Sequence, residues 1–440
     1  MRSLGPVALA CALLSLTPAA RGNGRFPAAQ QVFTGLGAGR DVVVLRATFG
    51  LIVSRDGGET FGWACEEALF APFAPAKTSD PPVTINPQGD VVFGFEWGVH
   101  ALSASCGVDD ARLEGDPFIV DLASSGDLTT VYAVEAIPGE DNAVWVGDAT
   151  TLRLERRAVQ ANVSWRTVDV APSDVSRVYL SGRDDRRFAP VLFASDDGAR
   201  SLRPLPLPAS DVDDAWVSGV SPRDAAVVFV RSNVGGGSAL FRSADAGATW
   251  SRVAGFEGPM LGFAMSDDGA TVWVSGPRDG LWASVDGGAS FERRAPLGAY
   301  CLHQRGGVLW ACGDWVLDGF ALGRSTDGGA TFTPALRFQD LAGPLACGLD
   351  GCDARWPPIR ALLTGSDGGV DAGDPVDASR PDVSVVRDSG RSSDAPAGDA
   401  GVTRPPETTG CGCRAAAPSS RWGALVLGLT ALLRRRRRRR

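Results

Sequence analysis

The chain is poor in the side chains that most often hold metals or shuttle protons. Its 440 residues include only two histidines, His100 and His303, which excludes a histidine-rich metal centre. Lys77 is the single lysine beside 42 arginines, and tyrosine occurs three times, at Tyr132, Tyr179 and Tyr300. Arginine in such excess is a compositional bias and by its number marks no site. No two cysteines stand three positions apart, so zinc-ribbon spacing is absent. The first 30 and last 30 residues contain no acid, and no aromatic residue lies between Pro357 and Arg421. No apolar run approaches the roughly 20 residues of a membrane-spanning helix. With hydrophobic residues at 44% and mean hydropathy at zero, a large core is available, and neither global disorder nor a multi-pass membrane protein fits. Gly 55 and Pro 29 point to many turns.

The two ends read as addresses. Residues 1–21 have the plan of a secretory signal: Arg2, an apolar run from Leu4 to Leu16, then small residues, with cleavage after Ala19 or Ala20. At the other end, Cys411 and Cys413 precede a 12-residue apolar segment, 422–433, closed by seven arginines, 434–440. As a helix that segment reaches roughly 18 Å, short of a bilayer core of about 30 Å. The order of cysteines, short apolar segment and arginine cluster resembles the myxobacterial C-terminal sorting tail (MYXO-CTERM). The resemblance implies membrane contact through the tail until a sorting protease removes it, with Cys411 or Cys413 as the processed residue and the protein left on the cell surface. A plain tail anchor with a basic stop is the alternative. Polyarginine next to an apolar segment in an exported chain does not indicate a nucleic-acid partner. Removing Arg2 and Arg21 with the signal, and nine arginines after Cys413, leaves 32 basic against 51 acidic residues, net −19. The expected mature protein is therefore acidic.

Residues 364–410 are rich in Asp, Gly, Ser and Pro and lack the apolar surface to offset their ordering entropy. They read as a disordered acidic stalk. Residues 26–363 carry an internal repeat. Ser54, Asp56, Gly58, Thr60 and Phe61 recur as Ser243, Asp245, Gly247, Thr249 and Trp250, and as Ser325, Asp327, Gly329, Thr331 and Phe332. Ser284, Asp286, Gly288 and Phe291 form a fourth copy, and a fifth keeps Ser195 and Asp197 but ends in Leu202. Each follows a short strand-like run. The pattern is a turn: aspartate accepts backbone N–H groups, glycine supplies positive φ, hydroxyls close the loop and the aromatic packs back on the sheet. It resembles the Asp-box, or bacterial neuraminidase repeat, of sialidase-like β-propellers. The first two serines are separated by three times 47 residues, which places degenerate units near 101 and 148. Apolar runs give a second count: Val42–Leu45, Val91–Phe93, Val144–Val146, Val178–Leu180, Val227–Val230, Val272–Val274 and Val308–Trp310. Both counts give an all-β, seven-bladed β-propeller, with six or eight blades as the alternatives if the units near 101 and 148 are misread. Gln30–Phe33 is expected to close the ring by pairing with the last blade.

Six cysteines fall inside the repeat region. Cys301 and Cys312 flank Gly306-Gly307 and oppose one another across that hairpin. Cys347 and Cys352 bracket a small loop and are expected to pair, which leaves Cys65 for Cys106. Disulfides fit an exported chain better than zinc does.

The Asp-box resemblance implies an arginine triad, a Tyr–Glu nucleophile pair, an acidic Asp and an early Tyr/Phe-Arg-Ile-Pro motif. The nearest echo of the last is Arg25-Phe-Pro27, out of order, and Tyr132 with Glu135 is a weak nucleophile pair. Glu66, Glu67, Glu96 and Asp314 are carboxylates near blade ends whose spacing joins no two into a dyad, and Cys312-Gly-Asp-Trp315 sets an acid beside an aromatic. No catalytic residue, cofactor or metal is therefore assigned. The expected function is that of a monomeric, surface-displayed module binding an extracellular glycan or protein. A glycoside hydrolase and an exported assembly factor are the alternatives.

Overall fold

Short apolar runs interrupted by Asp- and Gly-rich turns fold as antiparallel meanders, because each turn returns the chain beside the strand it has just left. The computed structural model describes residues 26–37, 40–70 and 80–365. The signal at 1–21, nearly all of the stalk and the tail with Cys411 and Cys413 lie outside the described residues. Within them stand seven four-stranded antiparallel sheets, each with its strands in chain order. They span 29–65, 83–112, 119–161, 163–205, 216–256, 262–295 and 301–336, blades 1 to 7 of a β-propeller.

Several middle strands are buried end to end, Val91–Phe95 and Val272–Gly276 among them. A sheet that packs on both faces reads as a continuous apolar run rather than an alternating one. The core is accordingly a series of layers between blades. Val92 and Val99 of blade 2 meet Val131 and Trp145 of blade 3, and Tyr132 and Val146 of blade 3 meet Val163 and Val178 of blade 4. Of the seven apolar runs, six are second strands. Val144–Val146 is different: it belongs to the third strand, Asp141–Asp148, and the second strand of blade 3 is Thr130–Glu135.

The repeated octapeptide joins the third strand to the fourth. In blade 5, Ser243 Oγ donates to Asp245 Oδ1 at 2.7 Å and accepts from Gly247 N at 2.9 Å. Thr249 N and Thr249 Oγ1 donate to the two oxygens of the same carboxylate. Blades 1, 4, 6 and 7 repeat this network around Asp56, Asp197, Asp286 and Asp327. The degenerate units also hold turns. In blade 2, Gly107 N donates to Ser103 Oγ, and in blade 3 the N–H groups of Thr150 and Thr151 donate to Asp148 Oδ1.

Each turn also ties two blades together. In four of the five the fourth residue's carbonyl accepts from an arginine of the preceding blade: Gly198 from Arg157, Ala246 from Arg203, Gly287 from Arg242 and Gly328 from Arg294. The fifth residue packs on that blade. A Cβ on Gly288 would come within 2.4 Å of Phe229, and one on Gly58 within 2.6 Å of Trp310.

The ring closes from the opposite end of the chain to the one expected. Ala29–Gly37 is the inner strand of blade 1 and pairs with Arg40–Ala47; blade 7 draws all four strands from its own residues and has no vacancy for it. Instead the segment after blade 7 docks on the outer edge of blade 1. Trp63 N donates to Gly343 O, and Leu345 N to Trp63 O, each at 2.9 Å. The helix Cys352–Thr364 follows, with Trp356 against Trp63. Two disulfides hold this clasp, Cys65–Cys352 and Cys106–Cys347. The expected pairs Cys347–Cys352 and Cys65–Cys106 are thus replaced by bonds from the clasp to blades 1 and 2. Cys301–Cys312 forms across the hairpin as expected, and its register is direct.

Two stability outcomes follow from this architecture. Replacing Cys65 and Cys352 together by serine should cost about 2–4 kcal/mol, because the bond closes a very long loop; chemical denaturation under non-reducing conditions reads the loss, and an unchanged midpoint would remove the clasp's role. The fourth turn position is left-handed throughout, φ 59° at Ala246 and 70° at Gly328. Ala246→Gly should therefore stabilise by about 0.5–1 kcal/mol, and Gly328→Ala destabilise by a similar amount. Paired thermal melts with shifts of opposite sign are the check.

Candidate functional site

The inner strand of every blade is an edge strand whose outward N–H and C=O groups face the ring's axis, and these groups need partners. Side chains from neighbouring blades supply several of them. Asp121 Oδ2 of blade 3 accepts from Val168 N of blade 4 at 2.9 Å, and Thr167 Oγ1 of blade 4 accepts from Val217 N of blade 5 at 3.0 Å. Asp169 accepts from Val220 N of blade 5. Thr84 and Ser124 bond to each other between blades 2 and 3, and His303 of blade 7 bonds the backbone of Thr34 in blade 1.

These strands enclose a cavity of about 1310 Å³, the central channel. Polar and apolar side chains share its wall, with Phe33, Phe263 and Met265 beside Gln31, Gln304, Asp121 and Asp169. Burial pushes the carboxyl groups of both Asp121 and Asp169 up to about 7, against the backbone N–H groups that favour their charge. Asp121 is raised further by the charge of Asp169. Burial likewise drives His303 down to about 4, where the ring lies 4.7 Å from Phe33. Three buried atoms of the wall, Gln31 Oε1, Gln304 Oε1 and Thr34 Oγ1, have no protein partner.

The carboxylates singled out in the sequence lie elsewhere. Glu67 pairs with Arg355 of the closing helix at 3.3 Å. Asp314 caps a turn through Val316 N and Leu317 N. Trp315 stacks on Phe26 and donates to Pro27 O, so its face is used in packing. Glu66 and Glu96 are not among the channel's lining residues. Tyr132 and Glu135 form no nucleophile pair: the phenol donates to Val175 O, while Glu135 accepts from Ala143 N and Trp145 Nε1. Tyr179 donates to Ala225 O and is pushed up to about 12 by burial. The turn aspartates serve the turns; the Thr249 hydroxyl, its N–H and the Ser243 hydroxyl hold Asp245 at about 2. No group of histidine, cysteine and carboxylate ligands able to hold a metal occurs among the described residues.

Asp121 and Asp169 were missed from sequence. Their signal was an acid inside an apolar strand, Ile119-Val-Asp-Leu and Val168-Asp-Val, which normally marks a strand's solvated face.

No family model matches the chain, and no curated protein does. Solved structures align with it at low identity and with TM-scores below 0.5. A GH74 enzyme of Niastella koreensis aligns at 13% identity over 69% of each chain, TM-score 0.36. The GH74 xyloglucanase of Xanthomonas campestris aligns at 16% identity over 71% of this chain and 64% of its own, TM-score 0.33. Hydrazine synthase of Kuenenia stuttgartiensis aligns at 12% identity over 66% of this chain and 94% of its own, TM-score 0.45.

The channel's titrating groups set a pH dependence. Asp121 and Asp169 bind protons more tightly folded than unfolded, so they withdraw stability as pH rises from about 4 to about 7. His303 binds them less tightly when folded and adds stability as pH rises from about 4 towards its ordinary 6.5. The Asp121→Asn, Asp169→Asn double variant should therefore gain on wild type steadily across that window. Melting temperatures at half-unit steps check the sign; a constant difference would mean that neither carboxyl is raised.

Proposed function

We propose that this chain is an exported β-propeller, displayed on the cell surface, that holds an extracellular glycan in its central channel without transforming it. The observation that carries the reading is the channel wall, where carboxamide and hydroxyl oxygens lacking protein partners stand beside Phe33 and Phe263. A buried acceptor without a donor is costly, and a polyhydroxylated ligand brings donors while its C–H faces pack on aromatic rings. Export is supported by the three disulfides, and display by the sorting-tail resemblance. The Asp-box resemblance of the turns is consistent with a propeller used outside the cell. Among the described residues no helix is long and apolar enough to cross a membrane, so attachment rests on the tail.

Asp121 and Asp169 favour one competing reading. Two carboxyl groups raised to about 7 in one channel are the kind of pair that acid–base hydrolysis of a glycan uses. Against it, each accepts a backbone N–H from the next blade, a bond that fixes it to the wall as a structural tie. Purified protein should retain oligosaccharides on a glycan array and release no reducing ends on prolonged incubation. The Gln31→Ala, Gln304→Ala variant should lose about tenfold in affinity, as expected for one or two hydrogen bonds. Reducing ends that vanish in Asp121→Asn or Asp169→Asn would replace the binding module with a hydrolase. Capture of a single extracellular protein and no glycan would replace it with an assembly or adhesion role.

A further inference from the structure

The five octapeptide turns with the full aspartate network differ in their sixth residue, which is Glu59, Arg200, Ala248, Ala289 and Ala330 in turn. Between blades 7 and 1 that position completes an ion pair: Glu59 Oε1 lies 3.3 Å from Arg324 Nη1 of the preceding blade. Between blades 3 and 4 it is reversed. The turn offers Arg200, and the preceding blade also reaches it with an arginine, Arg157, bonded to Gly198 O.

The two guanidinium groups both approach Gly198, with Arg200 Nη1 donating to Asp197 O at 3.0 Å. A Cβ placed on Gly198 would lie 3.0 Å from Arg157 Nη1, 3.3 Å from Tyr132 OH and 3.8 Å from Arg200 Nη1. Their charges oppose the effect of burial on the Tyr132 phenol, which is nonetheless raised. Tyr132 cannot neutralise them, since its proton is committed to Val175 O. Arg157 Nε is buried without a partner. The groups open onto a cavity of about 470 Å³ that Arg153, Ser176 and Thr130 also line and that shares no lining residue with the channel. Two acids face it. Glu155 lies 3.7 Å from Arg157 Nη2 but is 77% exposed, and one oxygen of Asp148 is engaged by two backbone N–H groups.

We propose that this cavity binds a small oxyanion, a carboxylate or a sulfate, in the role that Glu59 fills between blades 7 and 1. Like charges held close repel, and an anion with two oxygens to present converts that repulsion into charge-assisted hydrogen bonds. The acidic character of the rest of the chain disfavours an extended polyanion, so a compact, singly placed group fits best.

Isothermal titration of the purified propeller with sodium acetate and, separately, sodium sulfate tests this at ionic strength held constant with chloride. At least one should saturate a single site, with Kd on the order of 1 mM for so small a ligand. Acetate alone assigns a planar carboxylate, sulfate alone a tetrahedral anion. Arg200→Ala should weaken binding about tenfold or more, while Arg324→Ala, at the other junction, leaves it unchanged. Arg200→Glu should abolish binding and raise the melting temperature without added anion, because it supplies the carboxylate internally. Arg200 is exposed, so these variants fold. Absence of saturable heat with both salts, or undiminished binding by Arg200→Glu, would overturn the proposal.

Discussion

A propeller blade cannot bury itself. Each of these sheets is apolar on both faces, so every blade depends on two neighbours, and the first and last depend on each other. That dependence organises the rest of the molecule. The octapeptide turn is at once a local device, satisfying its own backbone around one aspartate, and a contact surface, offering a carbonyl and a flat glycine to the blade before it. The channel strands obey the same demand from the inside, where exposed edge N–H groups of one blade are met by Asp121, Thr167 and Asp169 of the previous one.

The parts legible in the sequence were those whose physics is local. The bonds to the turn's serine and aspartate fall within a few residues, so the chemistry of Ser, Asp, Gly and Thr appears as a string, and its spacing counts the blades. Cys301 and Cys312 were legible because hairpin register is arithmetic about Gly306-Gly307. The other four cysteines were not. Their pairing depends on where the segment after blade 7 docks, and that segment has no periodicity to reveal its partner. The arginines were hidden for a related reason. Each reaches the next blade's turn 34 to 45 residues on, so in sequence they resemble bias and only in the ring do they resemble a pattern.

The same long-range character explains why the candidate sites emerged only in three dimensions. Asp121 and Asp169 sit in apolar strands that look like ordinary core, and their environment acts on them through neighbours from other blades. Arg157 and Arg200 are 43 residues apart, one in a strand and one in a turn. What distinguishes their junction is a comparison among repeats: Glu59 completes a pair where Arg200 opposes one. Internal repetition thus served as a control, showing what each junction needs by what the others supply.

The clasp has a mechanical meaning. The last described residues leave the propeller from the helix Cys352–Thr364, which is bonded covalently to blade 1 through Cys65. Tension applied at that end does not peel blade 7 strand by strand. It passes through the Cys352–Cys65 bond into blade 1, whose four-stranded sheet also begins the described fold. Both ends of the described fold therefore bear on a single blade, and the other six, with the paired arginines, lie off the line of force.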